Sequence, residues 1–100
     1  MKRLIINAEA KAELEEAARW YDKQRSGLGR DLKAELKRTI RKVQHDPSIG
    51  PRYRSSDFQF VRATRFPYVI YYMELEQVIW IVAIAHDRRR PGYWRKRSRP

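Results

Sequence analysis

The chain has 100 residues, 42% of them apolar, no cysteine, and 23 Lys and Arg against 12 Asp and Glu, a formal charge of +11. A length of that order supports one core and one domain spanning 1–100, burying roughly 60–65% of the surface that the unfolded chain exposes. Without Cys there is neither a disulfide framework nor a thiolate zinc site, and the charge steers the molecule toward anionic partners, nucleic acid or acidic protein.

Met1–Asn7 carries no leader pattern, and the longest apolar run, Val78–Ala85, is far below the roughly 20 residues that cross a bilayer. The sequence therefore predicts a cytoplasmic protein without membrane association. Charge is uneven along it: residues 1–50 hold 12 basic and 8 acidic side chains, a net +4, and residues 51–100 hold 11 and 4, a net +7. Seven basic residues fall in the last 13, nearly all of them Arg, whose planar fork suits phosphate or carboxylate. Residues 95–100 are expected to form a loose basic tail.

Taken in order, Leu4-Ile5-Ile6 is a short β-branched strand, and Asn7 stands where a helix N-cap would accept an unpaired N–H. From Ala8, residues Ala10, Leu14, Ala17, Ala18 and Tyr21 recur at helical steps, with Glu9, Glu13, Glu16, Arg19 and Lys23 on a solvated face to about Gln24. Ser26-Gly27-Leu28-Gly29 ends this helix. A second stripe, Leu32, Leu36, Ile40 and Val43, marks a helix from about Leu28 to Gln44, stopped at His45-Asp46-Pro47; the short connection makes the pair antiparallel.

Phe58–Arg65, Pro67–Met73 and Gln77–His86 are rich in aromatic and β-branched residues and predict three strands, with a tight turn near Glu74-Leu75-Glu76. The order β-α-α-β-β-β gives an α+β domain, a helical hairpin packed on one face of a small, mostly antiparallel sheet. Strict alternation along the last strand puts Ile79, Ile81, Ala83 and Ala85 on one face and Val78, Trp80, Val82, Ile84 and His86 on the other. Both faces are apolar, so the one without helices calls for a partner or a cleft. Trp20 and Tyr21, near the end of the first helix, fit packing positions better than a docking surface.

The two histidines, His45 and His86, are 41 residues apart, with no His-x-x-x-His pair, so no metal site is expected. There is no Gly-x-Ser-x-Gly elbow, no glycine-rich phosphate loop and no cofactor signature. The sheet does offer cations and hydroxyls. Arg62, Arg65, His86 and Arg88 can serve metal-free RNA cleavage, His86 as acid or base and the arginines on the phosphate, with Tyr68, Tyr71 or Tyr72 stacking a base or passing a proton. The same residues also fit structural roles: tyrosines as core, and Arg62 and Arg65 paired with Glu74, Glu76 or the helices.

Leu14-Glu15-Glu16-Ala17-Ala18-Arg19-Trp20-Tyr21, Gly27-Leu28-Gly29, Phe66-Pro67-Tyr68-Val69-Ile70-Tyr71-Tyr72 and Ala83-Ile84-Ala85-His86…Arg89…Pro91-Gly92-Tyr93-Trp94 occur in the order and spacing of the bacterial RelE/ParE toxin superfamily, which the chain resembles over almost its whole length. The resemblance implies a toxin of a type II toxin-antitoxin system, inactive in a hetero-oligomer with a cognate acidic antitoxin. RelE-like members are metal-independent, usually ribosome-dependent mRNA endonucleases, for which Arg62, Arg65, His86 and Arg88 would be catalytic. ParE-like members inhibit DNA gyrase. The second strand has no lysine or glutamate matching the nuclease sites, and the long helical hairpin and His-x-x-Arg-x-Pro-x-Tyr-Trp ending are closer to ParE and the plasmid-stabilisation proteins.

Overall fold

The computed structural model describes residues 1–100. β1 (Arg3–Ile6) leads through Asn7 into α1 (Ala8–Gln24), and the Asn7 side chain accepts from the Glu9 N–H at 3.1 Å, the expected cap. α2 (Leu28–His45) runs back along α1 after a turn at Gly27, whose φ of +89° is readily adopted only by glycine. At Gly29 the helices come into backbone contact: its N–H donates to Asp22 Oδ1 at 2.8 Å, and an added Cβ would run into the Ala18 carbonyl. A short 3₁₀ turn (Pro47–Ile49) precedes β2 (Gln59–Arg62), β3 (Tyr68–Glu74) and β4 (Val78–His86).

The sheet order is β1-β4-β3-β2, antiparallel except for the parallel β1/β4 pair. The expected α+β arrangement holds. β2 is shorter than the predicted Phe58–Arg65, because the chain leaves the sheet after Arg62 and the Arg65 N–H donates instead to Glu35 Oε2 on α2, at 2.8 Å. Leu14, Ala17, Leu32, Leu36, Ile40 and Val43 from the helices pack on Ile70, Tyr72, Ile79, Ile81 and Ile84. The Tyr72 hydroxyl donates to Pro47 O at 2.6 Å and accepts from Gly50 N at 3.0 Å, fastening the 3₁₀ turn to the sheet.

Strict alternation fails in β4. Tyr71 pairs with Ala83 and Tyr72 with Ile81, leaving Val82 as the extra residue of a β-bulge. Val82 and Ala83 both pack away from the helices, so Ile84 returns to the face of Ile79 and Ile81. The predicted face assignment therefore holds up to Val82 and is reversed beyond it.

The second face is not open either. Tyr53, Met73, Trp80, Val82, Ala83 and Trp94 form a second core, with Phe58, Phe60, Tyr71 and Tyr93 packed against it. Trp94 is 1% exposed and lies against Tyr71, ring centroids 4.4 Å apart. The chain's own C-terminal segment supplies the cover that the alternating pattern assigned to a partner or cleft. No helix is long and apolar enough to cross a membrane.

Candidate functional site

β1 is too short to pair the whole of β4. Asn7 N still donates to Ile81 O at 2.9 Å; past it, side chains serve the strand edge. Glu13 Oε1 on α1 accepts from the Ile84 N–H at 3.1 Å, and Arg97 Nη1 donates to Val82 O at 2.9 Å. Arg97 and Glu13 also bind each other, and the Tyr93 hydroxyl donates to Glu13 Oε2. Arg97 thus lies anchored inside the segment 95–100 that was expected to be a loose tail. Burial lowers the Arg97 pKa, but its bonds to Glu13 outweigh that and hold it above the ordinary arginine value. Burial, followed by the bond to Glu13, pushes the Tyr93 hydroxyl well above the ordinary tyrosine value.

Beside this lock, α1 and the ends of β3 and β4 enclose a groove of about 330 Å³. Its floor is Ala17, Tyr21, Tyr68 and Ile84, and its rim carries Glu16, Trp20, His86 and Arg89. The bulge decides this arrangement, since it turns His86 toward α1 and opposite Tyr68, with ring centroids 5.4 Å apart. Trp20 is 56% exposed, against the expectation that it packs; Tyr21 takes the packing role, edge-on to Phe66 at 5.1 Å. Burial raises the pKa of both Tyr68 and Tyr21, with Tyr21 and Glu16 adding to the effect at Tyr68 and Asp87 at Tyr21.

The four candidate catalytic residues occupy different surroundings. His86 Nδ1 accepts from the Arg88 N–H at 3.1 Å and also lies 3.4 Å from Asp87 Oδ1. Arg88 lies in the turn after β4 and is exposed. Arg65 reaches Asp31 on α2 at 3.4 Å, one of the pairings anticipated for it, and lies over the Phe66 ring. Arg62, at the end of β2, lines a separate hollow beside α2. Of the three tyrosines only Tyr68 is beside His86; Tyr71 packs on Trp94 and Tyr72 is fully buried.

Sequence reasoning missed Glu13, placed on the solvated face, and Arg89, whose guanidinium stands 4.0 Å over the Tyr93 ring. Helical spacing carries no signal for a partner more than 70 residues away.

A family model described as the ParE toxin of the type II toxin-antitoxin system, parDE, matches residues 4–91. Among solved structures, a chain of the "Chromosomal ParDE TA system from P. aeruginosa" aligns with a TM-score of 0.77 at 15% identity, covering 86% of this chain and 96% of that one, a likeness of fold. No curated protein matches the chain in sequence.

Proposed function

The chain belongs to the ParE toxin family of type II toxin-antitoxin systems, and from that premise we propose that it arrests growth by binding and inhibiting DNA gyrase, and that a cognate acidic antitoxin neutralises it. The observation that carries this reading is the family match across residues 4–91. One feature of the site favours binding over RNA cleavage: Arg62 and His86, two members of the candidate catalytic set, line separate hollows.

The antitoxin is assigned to the groove beside Trp20. An exposed indole over an apolar floor is the usual composition of an interface anchor, and the +11 charge of the whole molecule favours encounter with an acidic chain. The proposal is tested with purified gyrase: the chain should block supercoiling of relaxed plasmid, and stoichiometric antitoxin should restore it. Full supercoiling activity at chain concentrations saturating for antitoxin would overturn it.

A further inference from the structure

The hollow that holds Arg62 lies between α2 and the end of β2 and shares no lining residue with the Trp20 groove. It has a volume of about 220 Å³ and is ringed by Arg38 and Lys42 of α2, Arg62 of β2 and the Thr64 hydroxyl. None of the three cations forms a salt bridge. One carboxylate, Glu35, also borders the hollow; it is 6% exposed and its Oε2 is taken by the Arg65 N–H. Three cations against one occupied carboxylate leave the site positive.

Two more cations continue the site. Lys37 and Arg41 are exposed on α2, each one residue before Arg38 and Lys42, and neither forms a salt bridge. The helix rise of 1.5 Å per residue puts successive ranks about 6 Å apart along a straight axis. We infer that Arg38, Lys42 and Arg62, extended by Lys37 and Arg41, bind the phosphodiester backbone of duplex DNA, with one phosphate seated in the hollow.

Chemistry favours this ligand. Two guanidiniums and an ammonium present far more donors than the two oxygens of one carboxylate can accept, whereas successive phosphates offer a continuous row of acceptors. A single strand is held largely by stacking on aromatic side chains, and neither the hollow nor these ranks of α2 contain one. The inference goes beyond the proposed inhibition of gyrase and is measured without that enzyme.

The test is fluorescence anisotropy of the full chain with a short labelled DNA duplex across a salt series. Two triple variants of equal charge are compared: Arg38→Gln/Lys42→Gln/Arg62→Gln, and Lys11→Gln/Lys23→Gln/Arg90→Gln on other surfaces. Each phosphate contact contributes a slope of about −0.9 in log K against log salt. The first triple should flatten the slope by roughly 2 to 3 and weaken binding on the order of 10- to 100-fold, while the second leaves the slope near that of the unmodified chain. Unchanged melting of both confirms folded protein. Equal effects of the two triples would overturn the inference. So would polyglutamate, or a single strand, bound through the same three residues as tightly as the duplex.

Discussion

Arg97 and Glu13 lie 84 positions apart and meet in a two-point ion pair, Nη1 to Oε1 and Nη2 to Oε2, both at 3.0 Å. Their side chains are 12% and 15% exposed, and each also serves the unpaired edge of β4. The pair therefore ties the C-terminal segment, with Trp94 beneath it, to α1 across that edge. Arg97→Ala leaves a largely buried carboxylate without its cation and should cost about 3 kcal/mol, lowering Tm by on the order of 10 to 20 °C in a chain of this size. Arg97→Lys, unable to make the two-point contact, should recover only part. Thermal melts of the three proteins check this.

Alkali should destabilise the fold. Tyr21, Tyr68, Tyr71, Tyr72 and Tyr93 all have pKa values raised in the folded protein, burial being the largest cause at each. A raised value means that the folded state holds the proton more tightly. The associated stability is fully present below the ordinary tyrosine value near 10 and is lost as pH climbs from there toward the folded values. The tyrosine contribution to unfolding free energy should fall as pH rises above about 10. Tyr93→Phe should make that fall shallower, a difference that denaturant titrations at several alkaline pH values would show.

Gly29 is the contact point of the helical hairpin. Gly29→Ala inserts a methyl against the Ala18 carbonyl and the Asp22 carboxyl carbon, forcing the helices apart at a cost of about 1 to 3 kcal/mol. A gain in stability, as expected at a roomy helical position, would show that the helices do not approach as closely as described.

Most of the fold was legible because it is locally encoded. The apolar stripes Ala10–Leu14–Ala17 and Leu32–Leu36–Ile40–Val43, the Asn7 cap and the aromatic strands each announce themselves within a few residues. What escaped depends on distant partners. The bulge at Val82 follows from how β3 registers on β4, and alternation within β4 cannot reveal it; that one residue moves His86 to the helix side. Likewise Glu13 looks like any solvated helix glutamate until Arg97 and the Ile84 N–H are brought to it. Trp20, judged a packing residue from its neighbourhood to the stripe, is exposed because Tyr21 alone fills the space against Phe66.

That exposure leads to a binding prediction. Trp20→Ala removes a half-exposed ring that packs edge-on against Tyr21 at 4.9 Å, so stability should fall by about 0.5 to 1.5 kcal/mol. Antitoxin affinity should drop by about 2 kcal/mol or more, some 30-fold, as for an aromatic interface anchor. Calorimetric titration with the cognate antitoxin separates the two effects, and undiminished affinity would remove the groove from the interface.

The central claim is a toxin that acts by binding gyrase and not by cutting RNA, and controlled bacterial expression of the unmodified chain beside His86→Ala tests it most directly. Growth, plasmid supercoiling and the integrity of translated messages are followed together. The account predicts growth arrest with lost supercoiling and intact messages, equally for both proteins. Cleaved messages with normal supercoiling, abolished by His86→Ala in a folded protein that still binds antitoxin, would contradict it and make His86 the centre of a nuclease.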